Sequence, residues 1–186
     1  MPHPTVVGFS GNIFRPSKTF AFVNHVVREI AHTTGLTGSS YDIEDFGSSL
    51  PRARRADELD GQARAILERI VGADILVVGT PTYKGSYTGL FKHVFDLVDP
   101  AALRGKPVVL TATGGGDRHA LIAEHALRPL FGFFEALSLP TAIYATDRDF
   151  TDGRIASDAV LLRVAQAVDQ AANMLKTSGS FSIAAE

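Results

Sequence analysis

The chain has 186 residues, which fits one domain, and its 45% apolar against 20% charged residues exclude a disordered polymer. A net charge of −2 lacks the basic excess of a nucleic-acid surface and the large acidic excess that suits docking onto basic redox partners. The absence of cysteine excludes disulfides, thiolate nucleophiles and cysteine metal sites, so any redox chemistry must come from a cofactor.

The beginning of the chain, Met1-Pro-His-Pro-Thr5, has no basic run, and the apolar stretch behind it is only Val6-Val7-Gly8-Phe9. No signal peptide is expected, no apolar stretch is long enough to span a bilayer, and a cytoplasmic location is the default. Residues 5–9 read as a first strand. A loop of small and polar residues follows, then a helix over 17–32 whose Phe20, Val23, Val27 and Ile30 recur at helical spacing, closed by Gly35. Residues 40–43 read as a weak second strand. Residues 46–55 form a loop with Pro51 and the arginines at 52, 54 and 55. A second helix, capped by Asp57 or Asp60, ends near Val71.

The apolar run 74–79 is a third strand, followed by a loop and a third helix over 88–98. Residues 108–112 form the fourth strand, followed by the glycine loop 113–117. A fourth helix is predicted from Asp117 or Arg118 to Leu137, a fifth strand over 141–145 and a fifth helix over 157–176. This gives one domain, 1–176, with a loose tail, 177–186. Strict β-α alternation with near-continuous apolar strands predicts a doubly wound α/β fold, a five-stranded parallel sheet of order 2-1-3-4-5. In that order the loops after the first, third and fourth strands converge on one crevice, where such sheets bind ligands.

The first of these loops is a phosphate-site candidate. Ser10, Asn12, Ser17 and Thr19 offer neutral donors, Arg15 and Lys18 offer positive charge, and the N-terminus of the first helix points unpaired N–H groups at the loop. The plain alternative is that Ser17 caps the helix and Arg15 is solvated. The second loop holds Pro81, Thr82, Tyr83 and Ser86, polar edges suited to a flat ring. The third, Thr113-Gly114-Gly115-Gly116, lets backbone come into contact with such a ring.

These motifs carry a resemblance. Ser10-Gly-Asn-x-x-Arg15-Pro-Ser17-Lys-Thr19, Pro81-Thr-Tyr-x-Gly-Ser86-Tyr-x-Gly89-Leu-x-Lys92 and Thr113-Gly-Gly115, with Asp117-Arg-His-Ala-Leu121 and His125-Ala-Leu-Arg-Pro-Leu-Phe131, resemble the flavodoxin-like NAD(P)H-dependent FMN reductases. The likeness is greatest to the reductases of two-component methanesulfonate and alkanesulfonate monooxygenases, and it runs to about Met174. It implies an enzyme that takes a hydride from NADH or NADPH onto FMN, held as substrate or loosely bound, and hands reduced FMN to a flavin-dependent monooxygenase. It places the phosphate at Ser10, Arg15, Ser17, Lys18 and Thr19. The ring lies against Pro81, Thr82, Tyr83 and Ser86, with Thr113, Gly114 and Gly115 on another edge. No side chain need act as acid or base.

Pro129 interrupts the fourth helix, because proline lacks the N–H and clashes with the preceding turn. Either a simple kink or a π-bulge near His125 absorbs it. In the sulfonate-linked reductases an inserted Tyr stands where this chain has His125, at an oligomer interface tied to flavin release, so His125 is a suspected modulator of that release. The run 130–137, apolar nearly all round, is either such an interface, in a dimer or tetramer, or a helix deep in the monomer core. The histidines show no ligand spacing and no metal site is expected. The arginines at 52, 54 and 55 read as a solvated loop, or as a contact for the extra phosphate of NADPH. Two alternatives to a flavin-supplying reductase remain: a reductase that retains FMN and reduces quinones or azo dyes, and a flavodoxin-type electron carrier. A phospho-accepting signalling domain would need acidic residues where Ser10 and Thr80 stand.

Overall fold

Three strands leave almost nothing for water and form the middle of the sheet: β1 (Thr5–Ser10), β3 (Ile75–Pro81) and β4 (Pro107–Gly114). The computed structural model, which describes residues 4–181, adds β2 (Thr37–Asp42), β5 (Leu137–Ser138) and β6 (Ile143–Thr146) to the same sheet. The order is β2-β1-β3-β4-β5, with β6 also on β4, and every pairing is parallel. The predicted order therefore holds, with the fifth position divided between two short strands. Pro140, which cannot donate to a ladder, lies in the break, and Leu139 N–H still reaches Val108 O at 2.8 Å.

Successive side chains of a strand point to opposite faces, and the two faces build two cores. Val6, Ile75, Val77, Val109 and Ile143 pack under α1 (Lys18–Thr34) and α5 (Asp158–Phe181). Val7, Phe9, Leu76, Val78 and Leu110 pack under α2 (Gly61–Gly72), α3 (Gly89–Asp96) and α4 (Arg128–Phe133). Phe9 stacks on Phe91 at 5.6 Å and meets Phe46 and Phe95 edge-on, which ties β1, α3 and the turn after β2 into one aromatic cluster.

The helix starts follow the sequence closely. Ser17 Oγ accepts from Phe20 N–H, Asp60 rather than Asp57 accepts from Ala63 N–H, and Thr88 accepts from Phe91 N–H. β2 begins at Thr37 and ends at Asp42, whose carboxylate caps a 3₁₀ turn over Ile43–Phe46, so the strand lies earlier than expected. Arg52 and Arg54 are solvated, while Arg55 pairs with Asp57 at 3.0 Å. α5 runs on to Phe181 instead of ending at 176; residues 182–186 of the expected tail lie outside the described residues.

The fourth helix departs most from expectation. In place of one helix over 117–137 there is a 3₁₀ turn at Asp117–His119, a π-helical turn at Ala123–Leu127 and the short α4. Arg128 N–H bonds to Ala123 O, five residues back, so the bulge and not a simple kink accommodates Pro129. Phe131 and Phe134 enter the core, but Phe133 is 66% and Leu137 46% exposed. The segment 130–137 is thus not buried all round. A small hairpin, β7 (Phe150–Thr151) and β8 (Arg154–Ile155), was not anticipated; Asp152 and Gly153 turn it, both at positive φ.

Among the described residues, no helix is long and apolar enough to cross a membrane, and no group of His, Cys, Asp and Glu could hold a metal ion.

Candidate functional site

The parallel register aligns the carboxyl ends of the strands. Ser10 lies beside Gly79, Pro81 beside Thr113, and Gly114 beside Thr146. The chain leaves β1 toward β2 on one side and returns to β3 on the other, which opens the crevice of a doubly wound sheet. A cavity of about 380 Å³ occupies it, within the range of small-ligand sites. Its wall takes Ser17, Lys18 and Thr19 from the first loop, Pro81, Thr82 and Tyr83 from the second, and Thr113, Gly114 and Gly115 from the third. The three loops singled out in the sequence therefore meet in space.

The first loop is fixed from beneath. Ser10 Oγ donates to Asn12 Oδ1 at 2.6 Å, and Asn12 Nδ2 donates to Asp42 Oδ2 at 3.0 Å and to Phe14 O at 3.1 Å. Gly11 N–H donates to Gly79 O, and Thr88 Oγ1 donates to Gly11 O, both at 2.7 Å. Arg15 does not line the cavity. Its Nε and Nη2 grip Asp42 at 2.7 and 2.5 Å, and Nη2 also reaches Asp45 at 2.7 Å. Hydrogen bonds to Asp42 and then Asp45 raise its pKa further above the ordinary guanidinium value. Ser10, wholly buried, is likewise engaged within the loop. Of the two expected cations, Lys18 alone stands at the wall, paired with Asp147 across the rim at 2.8 Å. The first N–H groups of α1 start there as well, and a helix's first turn has no intrahelical acceptors for them.

The second loop is a tight turn. Tyr83 and Ser86 exchange backbone hydrogen bonds at 2.9 and 3.1 Å around Lys84 and Gly85, both at positive φ. This carries Ser86 away from the cavity and onto another, of about 670 Å³, shared with Tyr87, His125, Pro129 and Phe133. Thr82 N–H and Oγ1 both donate to Thr113 O, at 2.7 and 2.9 Å, stitching the second loop to the third. Thr113 Oγ1 in turn meets Thr19 Oγ1 at 2.7 Å.

In the third loop, Gly114 is packed closely against a side chain. A Cβ there would sit 2.2 Å from the Tyr144 hydroxyl, which donates to Gly116 O at 2.7 Å. Burial, with the nearby Asp117 charge, pushes the Tyr144 pKa up. The wall also includes Phe14, Pro16, Thr146, Asp147 and Phe150, none of them anticipated as site residues. Thr146 and Asp147 follow the end-of-strand rule that located the other loops, applied to the last strand. Phe14 and Phe150 carried no such signal.

Residues 4–151 match the NADPH-dependent FMN reductase family. The chain belongs to that family. It is 41% identical to the NADH-dependent FMN reductase SfnF of Pseudomonas fluorescens (strain Pf0-1), over 92% of each chain. It is 40% identical to an FMN reductase (NADPH) of Pseudomonas aeruginosa, over 90% of each. Among solved structures, an oxidoreductase from Corynebacterium diphtheriae superposes with a TM-score of 0.83 at 28% identity, covering 93% of this chain and 97% of that one.

The donor set of this FMN reductase suits its flavin. Hydroxyls, a lysine and a helix N-terminus in the cavity wall match a phosphate monoester. Gly114 and Gly115 in the same wall present backbone with no side chain, which a flat ring can approach.

Proposed function

We propose that this FMN reductase takes up free FMN in the first cavity, reduces it with NADH or NADPH, and releases it to a flavin-dependent monooxygenase, of the two-component sulfonate class. The observation that carries the reading is one cavity joining Ser17, Lys18 and Thr19 to Gly114 and Gly115. Bound FMN supplies the redox chemistry, gaining a hydride from NAD(P)H and a proton from solvent to leave NAD(P)⁺ and reduced FMN. The chain's part is binding and orientation. Lys18 and the start of α1 hold the phosphate, Pro81, Thr82 and Tyr83 border the ring, and the Thr82–Thr113 and Thr19–Thr113 bonds keep the loops in register. Arg15 acts beneath the site by fixing its loop through Asp42. Dependence on NAD(P)H suits work in the cytoplasm.

The test is anaerobic oxidation of NADH and NADPH by apo-protein with and without excess FMN. Turnovers that scale with added FMN, far beyond the enzyme concentration, are expected. A halt after one equivalent would mean retained flavin and would move the search to quinone or azo acceptors. Flavin binding without oxidation would leave an electron carrier.

We infer further that the chain is a homo-oligomer, dimer or tetramer, through the face that carries α4. Exposed Phe133 lines the second cavity together with His125, which stands in the π-turn, and Ser86 of the ring loop. This juxtaposition supports His125 as a modulator of flavin release. Sedimentation should give a mass of two or four chains, and Phe133→Glu should lower it; a wild-type monomer would remove this part of the reading.

A further inference from the structure

Asp147 is out of place in an anion site. It lines the cavity whose other features favour a phosphate dianion, and its Oδ1 accepts from Lys18 Nζ at 2.8 Å, between the end of β6 and the first turn of α1. Its own turn does not need it. Thr146 N–H and Oγ1 both donate to Asp149 Oδ2 at 2.7 Å, so Asp149 provides the capping carboxylate of the Asp147–Asp149 turn. Burial acts against that charge, yet the bonds from Thr146 prevail and hold the Asp149 pKa below its ordinary value. Arg148 points elsewhere, onto Asp117 at 2.6 Å. Among the described residues Lys18 is the ion-pair partner of the Asp147 carboxylate, and Lys18 also lies 5.7 Å from the centre of the Phe150 ring.

We propose that Asp147 sets the affinity for the phosphate end of the flavin. It holds Lys18 in an ion pair over the cavity and opposes the incoming dianion, so that FMN exchanges instead of being retained. The inference rests on the proposed supply of free reduced FMN. Lys18 cannot serve both anions fully. When it turns to the phosphate, the carboxylate is left beside like charge; when it returns to Asp147, the phosphate loses its cation. Both side chains are partly in water, Lys18 at 46% and Asp147 at 69% exposure, so the competition is moderate and screened by salt. An effect of this size shifts affinity without deciding whether the flavin binds. That suits a site which must both fill and empty.

The experiment is equilibrium titration of the full-length apo-protein with FMN and with riboflavin, followed by flavin fluorescence, for wild type, Asp147→Asn, Asp147→Glu, Lys18→Gln and the double variant Lys18→Gln/Asp147→Asn. Asp147→Asn is expected to bind FMN about 1.5–5-fold more tightly at low salt, the range spanned by an exposed charge pair, with the gain shrinking as salt rises. Riboflavin, which lacks the phosphate, should bind both proteins alike. Asp147→Glu should restore the wild-type constant, and in the Lys18→Gln background most of the gain should disappear. Unchanged or weaker FMN binding by Asp147→Asn overturns the proposal, as does equal tightening toward riboflavin. Failure of the underlying reading is a separate result: wild type that does not turn over on free FMN. If wild type does turn over and Asp147→Asn still binds no more tightly, the affinity assignment alone falls.

Discussion

Asp42→Ala is expected to cost about 2–4 kcal/mol of stability, through the hydrogen-bond donors it leaves without an acceptor, and to weaken FMN binding by about tenfold or more. Asp42 is wholly buried at the end of β2, and its carboxylate accepts from Asn12 Nδ2, Arg15 Nε and Nη2, and the N–H groups of Glu44 and Asp45. Removing it leaves one hydrogen of the buried Asn12 amide and the part-buried N–H groups of Glu44 and Asp45 without this acceptor, and the loss at the buried amide is the costly one. Arg15 suffers less. Its side chain is 43% exposed and keeps Asp45 at 2.7 Å, so the stability loss comes mainly from the carboxylate's own surroundings. The functional loss follows from position: the same bonds hold the backbone from Ser10 to Arg15, and the cavity wall begins in that loop. Asp42→Asn keeps the shape but turns an amide donor toward other donors, and should fall between. Denaturant melts give the stability and flavin titration of the folded variant gives the affinity. An Asp42→Ala protein within about 1 kcal/mol of wild type would show that the loop is held elsewhere.

That hub shows where sequence reading stops. Arg15 was legible as a cation near a phosphate loop, and Asp42 as a residue of a weak strand. Nothing in their order along the chain says that the two charges meet, because the meeting depends on β2 pairing in parallel with β1 so that Ser10 lies beside Asp42. The strands themselves were plain. Ile75, Leu76, Val77 and Val78 in β3 are apolar in succession because both sheet faces are covered. The helix starts were nearly as plain: Ser17 was weighed as a cap, Asp60 stood beside Asp57 as a candidate, and Thr88 was read as the start of its helix. The fourth helix was harder. Pro129 announced a defect, but whether it would kink or bulge depends on how Phe131 and Phe134 reach the cluster around Phe95. Ser86, expected at the ring, was hard to place for a similar reason. The positive φ at Lys84, a residue that does not advertise it, folds the loop back and turns Ser86 to the second cavity. The hairpin was missed, although Asp152-Gly153, a pair suited to a two-residue turn, carried a signal for it.

Gly114→Val should raise the dissociation constant for FMN by about tenfold or more while costing about 1–3 kcal/mol of stability, the usual range for overpacking. Gly114 does not lie at positive φ, so the backbone itself accepts a side chain. The obstacle is space: the new Cβ would meet the Tyr144 hydroxyl at 2.2 Å and Thr82 Oγ1 at 3.3 Å. The tyrosine can move, since its hydroxyl is the far end of the side chain, and that keeps the stability loss modest. Moving it breaks its bond to Gly116 O, however, and releases the third loop, where the proposed ring position lies. Thr82, which joins the second loop to the third through Thr113 O, is pressed by the same methyl groups. Gly115→Ala is the matched control, because a Cβ there has nothing within 4 Å and should leave the melting temperature unchanged. The two variants separate packing from contact with the flavin. Weakened binding in Gly114→Val, with Gly115→Ala folded as wild type, locates the ring over this loop; wild-type affinity in Gly114→Val would place the ring elsewhere in the cavity.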